Sequence, residues 1–322
     1  MLSVSVIIPA CNVGLYVAST IESCINQSLK DIEIIVVNDG STDNTKEIIE
    51  DYAVKDSRII AIHKKNEGVT IARQTGLNIA KGEYIFFLDG DDYLEVTALK
   101  NIYDEAKLKN ADFVVGDFRF VYPDGKIIEK NFFDFKETDS IGFMKYCFLK
   151  SDFYFTGRLI KRKLLEIAEL NIPATITFGE DNVAVIQLAA HLQKAIKVNT
   201  IVLYYVQRTS SVTNMLKKED LIQRSNACWF TLQYVKNSGF YNKMQLEIEI
   251  FMLHEICAGI ARGYLDNRFL SFLKLPFITE KKYNEHLSIK KKFLLSLASV
   301  NTGLTVFLYN TITRIIHRRA SE

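Results

Sequence analysis

The chain has 322 residues, 48% hydrophobic and 24% charged, enough for one large domain with an appendage or for two of ordinary size. Its 40 basic against 38 acidic residues give no support to a nucleic-acid binder that works mainly by neutralising phosphates. The balance hides a split: residues 281–322 hold eight basic side chains against two acidic ones, which places +6 there and leaves −4 on the rest. Five cysteines with no C-x-x-C pair suggest neither a disulfide framework nor a zinc site, and fit a reducing compartment.

In chain order, β-branched runs predict strands at 4–8, 32–37, 59–62, 84–88 and 113–115, and helical spacing predicts helices at 17–25, 45–52, 71–80 and 96–108. The strand 4–8 lacks the basic lead and apolar stretch of a signal peptide, so a cytoplasmic protein is expected. Alternation of this kind marks an α/β fold, a mostly parallel central sheet flanked by helices. Strands are further expected near 118–122 and 198–206, a turn at Pro123-Asp124-Gly125, and helices at 159–170 and 182–192. Beyond 215 the spacing is helical, ending in an amphipathic helix near 290–316. The stretch 293–309 is too short and too polar for a confident membrane span.

Ligands of open parallel sheets bind beyond the carboxyl ends of the strands, so the residues just after each strand are the candidates. The strand over 84–88 is followed by Asp89-Gly90-Asp91-Asp92. Three carboxylates in four residues repel one another in a dry crevice, and a divalent cation with oxygen preference, Mn²⁺ or Mg²⁺, relieves that repulsion. A solvated turn with an Asp cap is the simpler alternative. Asn38-Asp39-Gly40-Ser41-Thr42-Asp43 closes the second strand and reads as a turn and cap, or as a nucleoside contact through Asp39. Neither segment holds a G-x-G-x-x-G or P-loop cradle.

Val4-Ser5-Val6-Ile7-Ile8-Pro9 with Asn12, the Asn38 to Asp43 motif, Asn66-Glu67-Gly68 with Ala72-Arg73, and Gly82 to Asp92 stand in an order that resembles glycosyltransferase family 2. The resemblance is strong over 3–117 and looser over 118–214. It implies a GT-A fold, Rossmann-like, and inverting transfer of a sugar from a nucleotide-diphosphate donor, UDP by family frequency. It divides the chain into a catalytic domain over 1–214, with a nucleotide-sugar half at 1–117 and an acceptor half at 118–214, and a helical region over 215–322. Pro9 and Asp39 would line the nucleobase with Arg73 beside it, Asp89 would face the ribose, and Asp91 would ligate the metal. Cys11 stands where many relatives have an aromatic residue, and Gly90, in the donor-binding segment of Asp89 and Asp91, stands where Ser is commoner.

Inversion by single displacement needs a general base on the acceptor hydroxyl. Phe178-Gly179-Glu180-Asp181 is similar to the family's Glu-Asp motif, which makes Asp181 the base and Glu180 an acceptor contact. A plain helix start is the alternative. Tyr204 to Ser211 resembles a segment whose Arg208 would pair with the leaving diphosphate, or merely end a strand. The acceptor class implied is a glycan or lipid-linked glycan of bacterial surface polysaccharide or lipooligosaccharide. Two rivals stay open, a nucleotidyltransferase on a related scaffold and a non-catalytic nucleotide-sugar-binding protein.

On a helix, Phe293, Leu297, Val300, Leu304, Phe307 and Leu308 share one side, flanked by Lys290 to Lys292 and by Arg314, Arg318 and Arg319. A basic amphipathic helix of this kind lies in the headgroup layer of anionic membranes, so peripheral contact through 290–319 on the inner face of the cytoplasmic membrane is expected. The same face would also suit packing within a homo-oligomer.

Overall fold

The computed structural model describes residues 2–130, 133–208, 217–276, 279–283, 285–306 and 309. They fall into two compact units, Met1–Met144 with Phe153–Met215, and Lys145–Asp152 with Leu216–Glu322.

The first unit opens with β1 (Val4–Ala10), α1 (Val17–Ile25), β2 (Ile32–Asp39), α2 (Thr45–Lys55), β3 (Ile59–Lys64), α3 (Val69–Ile79) and β4 (Tyr84–Phe87). These strands pair in parallel in the order β3-β2-β1-β4. Every residue of β1 and β2 is buried, as expected where helices cover both faces of a sheet. Val4, Val6 and Ile8 share a core cluster with Val17 and Ile21 of α1 and Ile49 of α2. Ile7 points to the other face, where α3 comes so close that a Cβ on Gly76 would lie 2.5 Å from the Ile7 side chain.

After β5 (Tyr93–Leu94), α4 (Ala98–Lys109), β6 (Phe113–Val121), β7 (Ile127–Lys130), β8 (Glu137–Thr138) and α5 (Ser140–Lys150) come β9 (Arg158–Lys161), α6 (Arg162–Ala168), α7 (Glu180–His191) and β10 (Ala195–Val206). The sheet continues as β4-β9-β6-β10-β5, with β9 antiparallel to both neighbours, β6 parallel to β10, and β5 antiparallel to β10. Gly125, at φ +81°, closes the expected turn between β6 and β7 by donating to the Tyr122 carbonyl at 2.9 Å.

Two expected elements are corrected here. The apolar start of 159–170 is strand, because Leu159 and Ile160 fill the gap between β4 and β6 and helix begins only at Arg162. The expected strand at 118–122 is the second half of one long strand, β6.

The second unit is helical, with α8 (Lys218–Asn237), α9 (Gln245–Ala261) and α10 (Ile289–Val300) joined through 3₁₀ turns. Tyr283 is fully buried and donates to Glu249 at 2.7 Å, and Arg224 grips Glu255 through two hydrogen bonds of 2.7 and 2.6 Å. The continuous helix expected over 290–316 is not seen. It stops at Asn301, whose side chain accepts the Leu304 N–H at 2.9 Å and so caps a new turn. Phe307, Leu308, Arg314, Arg318 and Arg319 lie outside the described residues. Among the described residues no helix is long and apolar enough to cross a membrane.

Candidate active site

The loops after β1 and β2 are fastened to each other by side chains of the Asn38 to Asp43 motif. Asn12, Val13 and Gly14 donate their backbone N–H groups to the side chains of Ser41, Thr45 and Asp43 respectively, at 2.9 to 3.0 Å. Asn12, in the left-handed region at φ 53°, accepts the Thr42 N–H at 2.8 Å. Gly40 cannot be replaced cheaply, since φ is +70° and a Cβ would sit 2.5 Å from the Asn66 nitrogen. Most of the motif therefore builds the turn. Asp39 is buried and accepts from the Glu67 N–H at 3.0 Å, the Gly68 N–H at 2.8 Å and Lys64 Nζ at 2.9 Å. Pro9, buried at the end of β1, pairs in register with Val37, and its carbonyl approaches Gly90. Exposed Cys11 receives the Asn66 side-chain amide at 3.2 Å.

The acidic tetrad follows β4, and the structure assigns its members different partners. Asp89 Oδ1 meets Arg73 Nη2 at 3.1 Å. Asp91 Oδ2 pairs with the Arg208 guanidinium, which lies 5.2 Å from the centre of the Tyr16 ring. Asp92 turns away to accept the Val206 N–H at 2.8 Å, tying the tetrad to the end of β10. Gly90 leaves its carbonyl to the Thr20 hydroxyl at 3.0 Å, and a Cβ there would press on the Pro9 carbonyl at 3.0 Å. Burial first, and then the charge of Asp89, push Asp91 above the ordinary carboxylate range; Arg208 opposes this. Asp92 is pushed well above it by burial and by Asp91, and its Oδ2 has no partner among the described residues.

No group of three or more potential ligands is clustered for a metal among the described residues. Mg²⁺ and Mn²⁺ commonly use only one or two protein carboxylates and leave the remaining positions to water and substrate phosphates. The pair Asp89 and Asp91 fits that donor set, because burial together with the charge of Asp89 leaves Asp91 raised despite Arg208.

Arg73 comes from the buried face of α3 and holds the centre of the site. Its Nη1 lies 2.9 Å from Asp181 Oδ1 and 3.6 Å from Glu180 Oε1, while Nη2 reaches Asp89. Burial works against its charge, yet the carboxylates of Asp181, Asp89 and Glu180 win and raise its pKa. The guanidinium of Arg73 joins Asp89 to the Glu180-Asp181 pair, and the partners of Asp39 are Lys64, Glu67 and Gly68. The reason is charge: a buried guanidinium is retained where several carboxylates can face it.

Gly179, at φ 86°, reverses the chain into α7, so Glu180 and Asp181 stand at the helix N-terminus as the spacing predicts. Asp181 Oδ2 accepts the Phe155 N–H at 3.2 Å. Burial raises the Asp181 pKa against the pull of Arg73. Burial and the neighbouring Asp181 bring Glu180 to about 7. A carboxylate with a raised pKa accepts a proton more readily near neutrality, which suits a general base.

Sequence reasoning does not reveal Phe155, whose ring stacks on Phe87 at 4.6 Å and lies 5.5 Å from the Arg73 guanidinium. Nor does it reveal Tyr16 under Arg208 or Lys64 on Asp39. Only the Thr156-Gly157 pair beside Phe155 hints at its place, since both residues donate to the Phe87 carbonyl, at 3.1 and 2.9 Å. Arg158 is buried with its guanidinium 4.6 Å from the Phe118 ring centre and 5.2 Å from that of Phe133.

Known proteins resemble this chain in sequence and in fold. Residues 5–167 match the family model "Glycosyl transferase family 2". The chain is 46% identical over 111 residues to the uncharacterized glycosyltransferase EpsJ of Bacillus subtilis, covering 34% of this chain and 32% of that one. It is 32% identical over 263 residues to a cholesterol galactosyltransferase of Borreliella burgdorferi, covering 78% of this chain and 72% of that one. The match thus spans about a third of the first relative's own length. Among solved structures, Staphylococcus aureus TarS 1-349 in complex with UDP-GlcNAc superposes with a TM-score of 0.64 at 17% identity, over 98% of this chain and 92% of that one, and so shares its GT-A fold. With the ordered strand-end motifs in place and more than half of its length matched, the chain belongs to glycosyltransferase family 2.

Proposed function

We propose that this chain is an inverting, metal-dependent, non-processive glycosyltransferase that moves one sugar from a UDP-sugar to a glycan or lipid-linked glycan acceptor, in bacterial surface polysaccharide or lipooligosaccharide assembly. The observation that carries the proposal is the bridge Asp89–Arg73–Asp181, which fixes a donor-loop carboxylate and a desolvated base on one guanidinium. In the reaction Asp181 takes the proton of the acceptor hydroxyl while that oxygen bonds to the anomeric carbon. The bond from this carbon to the diphosphate oxygen breaks on the opposite face, and its electron pair leaves with the nucleoside diphosphate. Asp91, with Asp89, would hold Mn²⁺ or Mg²⁺, which supplies positive charge to the leaving diphosphate. Arg208, at the same carboxylate, adds a second positive charge there. Arg73 keeps Asp181 oriented and Glu180 contacts the acceptor. Pro9 and Asp39 border the base, with Gly90 in the loop beneath the ribose.

A nucleotidyltransferase would need free backbone N–H groups in the turn after β1 to cradle a triphosphate. Those of Asn12, Val13 and Gly14 are already given to side chains, which disfavours that rival. A non-catalytic binder has no use for a base held beside Asp89.

Peripheral membrane contact, on the cytoplasmic face, is part of the same proposal. Ile289, Phe293, Val300 and Leu304 are each more than half exposed on or just after α10, next to Lys290, Lys291 and Lys292, while Leu295 and Ala298 turn inward. Packing of the same stripe in a homo-oligomer is the competing use.

A thermal-shift screen of nucleotide sugars with and without Mn²⁺ tests the core of this proposal. One UDP-sugar is expected to stabilise the protein only with metal, by about 2.7 kcal/mol at 100 times its Kd. If no nucleotide sugar shifts the melting temperature in the presence of Mn²⁺, the reading is wrong.

A further inference from the structure

We infer that the acceptor carries an apolar body next to its reacting hydroxyl, and that this body occupies a cavity of about 220 Å³ lined by Asp181 and Glu180. The inference rests on the reading of Asp181 as the base. The cavity lies between α3 and the α6–α7 segment, and Leu77, Phe155, Leu165, Leu170 and Ile172 supply its apolar walls. A purpose-made apolar cavity of roughly 150 Å³ stays dry and takes up benzene, so this one has room for a larger hydrocarbon group. A sugar ring is a poorer occupant, because its hydroxyls would leave water and find partners only toward Thr70, Gln74, Arg73 and the two carboxylates, with none along the Leu, Ile and Phe walls.

Two further observations tie the cavity to the chemistry. The carboxylate that would take the acceptor proton is itself part of the lining, so a hydroxyl attached close to the apolar body falls within its reach. Arg73 also lines the cavity; its side chain is 9% exposed, and its Nε has no acceptor among the described residues. An acceptor oxygen would satisfy that donor. The transfer step is unchanged: the acceptor O–H proton goes to Asp181, oxygen bonds to the anomeric carbon, and the nucleoside diphosphate leaves with the electron pair of the broken bond.

The test titrates the full chain calorimetrically with n-octyl β-glucoside below its micelle concentration, with 1-octanol and with methyl β-glucoside. UDP with Mn²⁺ is titrated in parallel, and each acceptor is then incubated with UDP-sugars and Mn²⁺. The octyl compounds are expected to bind at least about tenfold more tightly than methyl glucoside, through their buried methylenes. Leu170→Trp and Ile172→Trp, which fill the cavity from partly exposed positions, should weaken octyl binding by about tenfold and leave UDP binding within about twofold. Sugar appearing on 1-octanol identifies a lipid alcohol as the acceptor, and sugar appearing only on octyl glucoside identifies a short glycolipid. Equal affinity for octyl and methyl glucosides, octyl binding that survives both Trp variants, or donor hydrolysis without transfer to either octyl acceptor overturns the inference. Absence of both UDP binding and donor hydrolysis overturns the transferase reading itself, and the inference falls with it.

Discussion

Asp39 and Asp181 are both acidic residues of the first unit, yet Asp39 accepts two backbone N–H groups and a lysine ammonium from within 29 residues of itself. Asp181 instead shares one guanidinium that comes from 108 residues away and one backbone N–H. Asp39 fastens the turn between β3 and α3 to the end of β2. Asp181 is left desolvated, with a raised pKa. Environment, and not residue type, separates a structural aspartate from a reactive one.

Exchanging the two carboxylates for amides should expose that contrast. Asp181→Asn should lower kcat by about 10³-fold or more, because the amide cannot take the acceptor proton, while UDP affinity stays within a few fold. Steady-state kinetics beside a UDP titration read this directly, and unchanged turnover would remove Asp181 from its role. Wild-type turnover should also fall on acidification at a pH above that of an ordinary aspartate, since burial raises the carboxyl that must stay ionised.

Asp39→Asn should act first on stability. Whichever way the amide is oriented, its NH2 faces either the Gly68 N–H or the Glu67 N–H with Lys64, and the loss is expected to be about 2 to 3 kcal/mol by denaturant titration. A variant as stable as the wild type would mean that the loop does not depend on this carboxylate.

The smallest effect expected is that of Glu180→Gln, and it depends on pH. Glu180 titrates at about 7 in the folded chain against 4.5 ordinarily, so the folded state holds a proton that the unfolded state has released. Stability therefore falls as pH rises from about 4.5 through about 7, and the penalty is complete above that range. Glu180→Gln removes it. The variant should gain on the order of 2 kcal/mol at pH 8, seen as a higher Tm, and nothing at pH 4. A gain independent of pH would show that ionisation of Glu180 is not the cause.

Much of the nucleotide half is legible in the sequence. The β-branched runs of β1 to β4 and the helical spacing between them lie close to where the structure has them, and Gly40, Gly125 and Gly179 mark reversals that need positive φ. These features depend on neighbours a few residues apart, and local pattern records them. The site candidates Asp89, Asp91 and Asp181 also stand at strand ends and a helix start that local pattern predicts. The break at Asn301 is equally local: one side chain that caps a new turn ends the helix despite the apolar stripe that runs on past it.

Other features exist only once distant segments meet. The insertion of β9 between β4 and β6, the turning of Asp92 to Val206, the seat of Phe155 and the bridge from Arg73 to both Asp89 and Asp181 all join residues tens of positions apart. Sequence by itself determined the elements, the strand-end motifs and the family to which they point. Tertiary structure decided which carboxylate is saturated, which is left buried with a raised pKa, and that a cavity with largely apolar walls adjoins the latter, because desolvation and charge pairing are set by whatever the fold brings within a few ångströms.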